Sequence, residues 1–353
     1  MAPDATAGTV GGVAVRVGFL GAGLIATYHS KSLRRSGADV VRAGVFDTDR
    51  ERAEGFAAAS GHVVAASEDE VISACDAVYI CTWTSEHPRQ LAKAVAAGRH
   101  VFCEKPLATT ITAAEEMAES VRRAGIVNQV GLVLRRSPAF LMAAHLVDDP
   151  AAGRLMSIVM RADHFIPVQG HYASTWRADR NLVGAGTLLE HSIHDVDMLH
   201  LLGGPIERVS AHTTNFHGHD GIEDVAAATF RFRSGALGTL NSVWHDNLAR
   251  PSLRRVELFC ERRHVVIDGD DWFGPVSWTD HDGVTGTLAD DELEVAVLPM
   301  RDGGANPDGA FIRAVEHGQP ATPDLSTAVA AHRVVEAMYV SAAEDGTAVT
   351  VRR

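Results

Sequence analysis

The chain has 353 residues, of which 46% are hydrophobic and 22% are charged, and its formal net charge is −13. This length predicts two domains, and the composition is that of a folded globular protein rather than a disordered one. The negative charge argues against a nucleic-acid surface, and no apolar run is long enough to predict a membrane span.

The start of the chain and its cysteines indicate the compartment. Residues 1–12, MAPDATAGTVGG, lack the basic and apolar segments of a signal peptide, so we expect a flexible leader. The four cysteines include no C-x-x-C pair. Cys75, Cys81 and Cys103 lie in or beside apolar runs, which predicts buried free thiols in a reducing cytoplasm.

Short β-rich runs alternate with helical segments in the first part of the chain. The predicted strands cover residues 13–20, 39–47, 62–65, 77–82, 100–106 and 126–132, and the clearest helices cover 85–98 and 109–125. Alternating strands and helices are typical of a parallel sheet covered on both faces. We therefore predict a doubly wound Rossmann domain over residues 13–135.

The pattern changes in the second part, where strands follow one another with little helix between them. The predicted strands cover residues 154–166, 206–216, 224–232, 235–244, 253–260 and 264–269. Residues 233–236, RSGA, predict a hairpin turn, and two late helices are expected near 307–318 and 325–344. We predict a second, α+β domain over residues 136–353, built on an open, mostly antiparallel mixed sheet.

The segment GAGLIA, residues 21–26, follows the first strand and fits the dinucleotide-binding pattern G-x-G-x-x-A. The first glycine permits a tight turn, the second lets the backbone approach a pyrophosphate, and the alanine allows close packing of helix on strand. The helix N-terminus then offers N–H groups to the phosphates. The predicted cofactor contacts in this loop are Gly21, Gly23, Leu24, Ile25 and Ala26.

Asp47 ends the second strand, at the distance where a carboxylate binds the adenosine ribose of NAD. A carboxylate there repels a 2′-phosphate, so the position favours NAD, although nearby Arg50 leaves NADP open. The alternative is that Asp47 only flanks the start of a helix, with Asp49 as the better N-cap.

CEKPL, residues 103–107, stands where the fifth strand should end, and ligands of such sheets gather at the carboxyl ends of strands. Lys105 would then face the cofactor crevice, with its pKa lowered by neighbouring positive charge. A solvent-facing lysine is the alternative, which the upstream glycine motif disfavours.

GTLLEHSIHDVDML, residues 186–199, concentrates charged side chains. On one continuous helix, Glu190, His194 and Asp197 would share a stripe, beside an apolar stripe of Leu189, Ile193 and Val196. Three interpretations compete: a proton relay, a solvated helix face, and a metal site. The metal site would need a further ligand from His164, His171, His217 or His219.

Taken together, GAGLIA, His29, residues 78–108 with their Glu-Lys-Pro, and the 184–199 motif resemble the glucose-fructose oxidoreductase / inositol dehydrogenase / MocA family, nearest its inositol dehydrogenase branch. The resemblance implies a first domain that binds NAD or NADP and an open-faced second domain with helices on one face. It also implies reversible oxidation of a secondary hydroxyl of a sugar, polyol or cyclitol, without a metal, by a homo-dimer or homo-tetramer.

The resemblance also implies roles for residues. His194 would be the acid/base, with a pKa near neutrality, Lys105 would assist it, Glu190 would hold substrate hydroxyls, and Asp197 would orient the imidazole or lie behind it. Further expected cofactor contacts are Thr82, Trp83, His87, Glu104 and Lys105. Further expected substrate contacts are Trp176, Arg177 and Tyr172, with Arg180 as a weaker candidate and core packing as the alternative for Trp176.

Three departures from the family pattern suggest a substrate other than plain inositol. Glu190 replaces the usual aspartate, Trp83 stands where proline is common, and GAG at 184–186 replaces three glycines. Two other functions stay open on the same fold: an NAD-dependent glycosidase and a non-catalytic NAD-binding sensor. The chain has both Lys105 and His194, and a sensor that does not catalyse a reaction has no need for both, which argues against the sensor.

Overall fold

The computed structural model describes residues 14–170, 172–270, 272–301 and 306–352. The expected leader and His171 lie outside these residues. No helix in the described ranges is both long and apolar enough to cross a membrane. Cys75, Cys81, Cys103 and Cys260 are buried free thiols.

The first sheet is parallel, with six strands among the described residues in the order β3-β2-β1-β4-β5-β6. This is the predicted doubly wound Rossmann sheet, and β4 is buried at every position because helices cover both faces. The strands are β1 Val15–Leu20, β2 Val40–Phe46, β3 Val63–Val64, β4 Ala77–Ile80, β5 His100–Cys103 and β6 Asn128–Val130. The helices are α1 Leu24–Ser36, α2 Arg50–Ser60, α3 Glu68–Ala74, α4 His87–Ala96 and α5 Ile111–Ala124.

The second sheet has nine strands in the described ranges, in the order β14-β13-β12-β11-β7-β10-β9-β8-β15. Only β7 and β10 pair in parallel among them; the other neighbours are antiparallel, as predicted for a mostly antiparallel mixed sheet. The strands are β7 Leu155–Phe165, β8 Ile206–Thr214, β9 Val225–Phe232, β10 Leu237–His245, β11 Leu253–Cys260, β12 Arg263–Asp270, β13 Gly274–Asp280, β14 Thr285–Leu288 and β15 Val349–Thr350. The predicted hairpin turn joins β9 to β10, where Phe232 N–H donates to Ala236 O over 2.9 Å.

Helices cover one face of this sheet and leave the other open. The remaining helices are α6 Pro138–Asp148, α7 Arg180–Val183, α8 Thr187–Glu190, α9 Ile193–Gly203, α10 Asp290–Val297, α11 Pro307–His317 and α12 Leu325–Ala343. Side chains of α6, α9, α10 and α12 share one core with the inward-facing strand residues. On the opposite face Val159 and Leu237 are exposed.

The two late helices both pack against the first sheet, and α12 also reaches the second. Phe311 and Ile312 of α11 belong to the core of the first sheet, together with Phe19 and Tyr79. Helix α12 contributes Leu325 and Ala328 to the first half of the molecule and Val334 and Met338 to the core of the second. The domain boundary after residue 135 stays a prediction, because the last part of the chain packs against both sheets.

The buried and open faces of β7 can be compared at two adjacent residues. Ile158 is fully buried and Val159 is 42% exposed. We expect Ile158→Ala to lower the free energy of unfolding by about 2–5 kcal/mol, because it leaves a cavity in the core. Val159→Ala should cost less than about 1 kcal/mol. Chemical denaturation measures both, and equal losses would contradict the assignment of the two faces.

Candidate active site

The glycine-rich loop has the geometry that a dinucleotide requires. Gly21 has φ +90°, and a Cβ added there would lie 2.5 Å from the Cys81 carbonyl oxygen. Around Gly23 a Cβ would meet nothing within 4 Å, so open space lies over the backbone. Gly23 precedes α1 without a side-chain cap, which leaves the first N–H groups of the helix for a phosphate. Ala26 is fully buried, whereas Leu24 and Ile25 are exposed beside the loop.

Asp47 holds the glycine loop from the end of β2. Its Oδ2 accepts a hydrogen bond from Ala22 N–H over 2.8 Å, and its Oδ1 accepts one from Asp49 N–H over 2.9 Å. Each carboxylate oxygen has two acceptor sites, so a ribose hydroxyl can still donate to Asp47. Asp49, as expected, caps α2, and Arg50 pairs with Glu54. These residues fit an NAD ribose.

Lys105 follows directly on the end of β5 and reaches the second domain. Its Nζ donates a hydrogen bond to the backbone oxygen of Glu190 over 2.7 Å. Burial lowers the pKa of Lys105; Glu190 and Glu104 oppose this effect, and Arg177 and Arg254 add to it. The pKa of Lys105 is therefore lowered, as predicted, but the leading cause is burial and not neighbouring positive charge.

The prediction of one continuous helix through Glu190, His194 and Asp197 is wrong. Helix α8 ends at Glu190 and α9 begins at Ile193. At the break, Ser192 N–H donates to Thr187 O over 2.8 Å, five residues back instead of four. The hydroxyl groups of the same two residues bind β10: Thr187 Oγ1 and Ser192 Oγ lie 2.8 and 2.6 Å from Ser242 Oγ. The apolar residues Leu189, Ile193 and Val196 are nevertheless buried in the core, as predicted.

The Glu190 carboxylate is almost fully buried, and both of its oxygens have partners. Thr84 Oγ1 donates to Oε1 over 2.9 Å, and Arg177 Nε donates to Oε2 over 3.2 Å. Glu190 therefore joins the loop after β4 to the segment after β7, with its backbone oxygen on Lys105.

The His194 imidazole lies in the field of Lys105. Burial lowers its pKa well below 6.5, and the positive charges of Lys105 and Arg254 lower it further. The expectation of a pKa near neutrality is thus wrong, because the site is buried and rich in cations. Nδ1 is buried without a hydrogen-bond partner among the described residues. The imidazole is therefore neutral at pH 7 and can accept a proton.

Asp197 does not orient the imidazole. Arg135 binds its carboxylate through Nε and Nη2 at 2.7–3.0 Å, which ties α9 to the segment before α6. The neighbouring Asp195 accepts a hydrogen bond from Arg254 Nε over 2.6 Å. Arg254 Nη2 lies 3.4 Å from His191 Nε2, so this arginine borders the site.

Sequence reasoning missed Arg254, although a signal was present. Strand β11 alternates buried and less buried residues, and Arg254 occupies an inward position in register with Val256 and Leu258. A charge at an inward position of a half-buried strand indicates a buried ion pair or a functional site.

The remaining predicted cofactor residues line or support the crevice. Trp83 is 39% exposed, and Thr82 donates through Oγ1 to Gln90 over 2.6 Å. His87 is buried, with its ring nitrogens 3.0 Å from Pro106 O and 3.3 Å from Thr82 O. It joins the two loops and has little surface for a ligand.

Arg177 is the contact through which the predicted substrate segment reaches Glu190. Its guanidinium lies 4.4 Å from the centroid of the Trp176 ring, and Trp176 itself packs against a small apolar cluster with Val183 and Trp244. Tyr172 is near His164, 5.2 Å between ring centroids. Arg180 lines a different cavity of about 570 Å³, together with residues of α12.

The histidines considered for a metal site have other neighbours. In the described ranges, no group of three or more His, Cys, Asp or Glu side chains is arranged to hold a metal ion. His217 Nδ1 is 2.6 Å from Asp224 Oδ2, His164 packs against His191 and Tyr172, and the His219 oxygen accepts from Asn215.

Comparison with known families gives two matches that divide the chain. Residues 15–132 match a family model described as "Oxidoreductase family, NAD-binding Rossmann fold", and residues 140–266 match a "GFO/IDH/MocA C-terminal domain".

Curated relatives and solved structures agree with these matches. The chain is 31% identical to 1,5-anhydro-D-fructose reductase of Ensifer adhaerens over 66% of this chain and 71% of that protein. It is 34% identical to inositol 2-dehydrogenase of Cereibacter sphaeroides over 60% of this chain, and spans 61% of that relative. A levoglucosan dehydrogenase in complex with NADH and levoglucosan shares the fold, with a TM-score of 0.86, 21% identity, and coverage of 97% of this chain and 100% of that one. The family and the inositol dehydrogenase branch expected from the motifs are confirmed.

The glycine loop gives a direct test of cofactor binding. We expect Gly21→Ala to raise the Kd for NADH about tenfold or more, because the new Cβ meets the Cys81 backbone at a left-handed φ. Gly37→Ala is the matched control: it has φ +70° and no contact within 4 Å. Fluorescence titration with NADH should show a Kd for Gly37→Ala close to that of the unchanged chain. Equal Kd values for both variants would contradict the assignment of the loop.

Proposed function

The chain belongs to the Gfo/Idh/MocA family of NAD-binding oxidoreductases, and we propose that it transfers hydride between NAD and a secondary hydroxyl of a sugar, polyol or cyclitol. One observation carries the proposal. The Lys105 amine at the carboxyl end of β5 contacts Glu190, next to a buried neutral His194. An amine, a carboxylate and a neutral base at a nucleotide crevice are the groups that oxidation of an alcohol requires.

Each side chain has a defined task in this proposal. Bound NAD supplies the acceptor for the hydride. The His194 imidazole accepts the hydroxyl proton, and the Lys105 ammonium stabilises the negative charge that develops on the substrate oxygen. Glu190 and Arg177 hold further hydroxyls, since a carboxylate accepts and a guanidinium donates hydrogen bonds.

The charges of the site favour an uncharged polyol over a sugar phosphate or acid. The cations Lys105, Arg177 and Arg254 are nearly balanced by the carboxylates of Glu190 and Asp195. Relatives named inositol 2-dehydrogenase and 1,5-anhydro-D-fructose reductase support cyclitols and cyclic sugars as the first compounds to test. Asp47 at the end of β2 supports NAD over NADP.

Two variants and a substrate screen test the function. We expect the unchanged chain to reduce NAD with at least one cyclitol or cyclic sugar, and more slowly to reduce NADP. Lys105→Met and His194→Ala should each lower kcat about a hundredfold or more, because they remove the ammonium and the base. NADH formation at 340 nm measures the rates, with NADH titrations to confirm cofactor binding.

The controls are Lys31→Met and His145→Ala, which replace exposed side chains on α1 and α6. They should keep the full rate. Turnover that survives both Lys105→Met and His194→Ala would exclude the assigned roles. Hydrolysis of an aryl glycoside without accumulation of NADH would indicate the glycosidase, and NAD binding without turnover of any polyol would indicate the sensor.

We also propose that the protein is a cytoplasmic homo-dimer or homo-tetramer that uses the open face of the second sheet for contact. The exposed apolar residues Val159 and Leu237 on that face support the proposal, and the four buried free thiols support a reducing compartment. Sedimentation velocity should show a dimer or tetramer that Val159→Asp weakens. A monomer at all concentrations would contradict the oligomer.

A further inference from the structure

Three buried ionisable side chains join helix α11 to the end of β5. The His29 imidazole on α1 lies between two carboxylates: its Nδ1 is 2.7 Å from Asp308 Oδ1, and its Nε2 is 2.7 Å from Glu104 Oε1. The side chains of His29 and Asp308 are fully buried, and that of Glu104 is 8% exposed. An imidazole donates from both nitrogens only when it is protonated. The two short contacts are those that an imidazolium would make with two carboxylates.

The charge on this imidazolium is maintained by its partners. Burial by itself lowers the pKa of His29, but Asp308 and Glu104 outweigh burial and raise it to about 10. The rings of Tyr28, Tyr79 and Phe102 lie beside it, with centroids 4.7–5.7 Å from that of the His29 ring. An imidazolium between two carboxylates would carry one net negative charge inside the first domain.

Glu104 connects this group to the reactive lysine. Its Oε2 accepts a hydrogen bond from the Lys105 backbone N–H over 3.2 Å. Gly131 packs closely against the same carboxylate, since a Cβ at that position would lie 2.2 Å from Glu104 Oε1. A shift of the Glu104 carboxylate would therefore move the backbone of Lys105.

We propose that Glu104, His29 and Asp308 form a positioning triad that fixes the backbone of Lys105 and keeps one buried negative charge close to its ammonium group. The triad rests on the function proposed above, because it assigns positioning residues to the same site. The charged and titratable groups that face Lys105 are Glu104, Glu190, Arg177, Arg254 and His194. Among these groups, Glu104 is the one that His29 and Asp308 keep in position.

Asp308→Asn tests the triad through pH dependence. Asp308 is the strongest of the groups that raise the pKa of His29, so its loss should lower that pKa by about one unit or more. His29 then deprotonates at a lower pH, and Glu104 loses the positive charge beside it. We expect the alkaline fall of kcat/KM to move to lower pH by a similar amount. NMR of ¹³C-labelled histidine follows His29, and NADH formation gives kcat/KM.

His29→Gln is the second variant, because glutamine can hydrogen-bond but cannot ionise. It should lower kcat/KM about ten- to a hundredfold at every pH. The shift of the alkaline limb that is expected for Asp308→Asn should be absent, because no imidazole remains at position 29 to titrate. The control is His62→Gln, a buried histidine of the same domain that packs against Phe19 and Phe56 and has Ser60 as its partner. It should leave the pH profile unchanged.

A third measurement separates this proposal from the proposed function. Competitive amine labelling with mass spectrometry compares the reactivity of Lys105 with that of Lys31 and Lys93, and it needs no turnover. We expect His29→Gln and Asp308→Asn to change the labelling of Lys105 alone. If the chain oxidises no polyol while these changes occur, the proposed function fails and the triad stands. Titration of His29 near neutrality, or Lys105 labelling and pH profiles that match those of His62→Gln, would overturn the triad.

Discussion

The contact between the Lys105 amine and the backbone oxygen of Glu190 is the constraint on which the site depends. It joins the end of a parallel strand in the first sheet to the end of a short helix in the second domain, over 2.7 Å. An ammonium group donates up to three hydrogen bonds, so one bond to a carbonyl leaves donors for a substrate oxygen. The backbone oxygen is uncharged, so it positions the amine and leaves its charge in place. A carboxylate partner would instead neutralise that charge.

Burial determines how the charges around this contact behave. In a medium of low polarity, each charge needs a partner, and the partner must come from another segment of the chain. Arg177 pairs with Glu190, and Arg254 pairs with Asp195. His194 has cations as its charged neighbours, so it stays neutral. The same burial that makes the pairs necessary thus lowers the pKa of the Lys105 amine and keeps the neighbouring His194 imidazole neutral.

Local patterns in the sequence predicted the parts of the site that depend on local geometry. A glycine at φ +90°, a helix N-terminus and an aspartate at a strand end follow from residues close together in the chain. The pairing of Lys105 with the 184–199 motif followed from family resemblance. Contacts between distant segments could not be predicted: Ser242 lies 50 residues beyond Ser192, and Asp308 lies 279 residues beyond His29. The Asp197–Arg135 pair and the low pKa of His194 both arise from such packing.

Helix α12 shows why the last part of the chain belongs to the site although it carries no proposed catalytic group. His332 accepts a hydrogen bond through Nε2 from Leu107 N–H over 3.1 Å, two residues beyond Lys105. Two helical turns further along α12, the Tyr339 hydroxyl donates a hydrogen bond to the Glu223 carboxylate over 2.8 Å. The same carboxylate accepts hydrogen bonds from the backbone N–H groups of Gly186 and Leu188 at the start of α8. A single helix thus holds the lysine segment and the Glu190 segment from behind. Because both segments are bound to one helix, α12 supports the separation at which Lys105 and Glu190 form their bond.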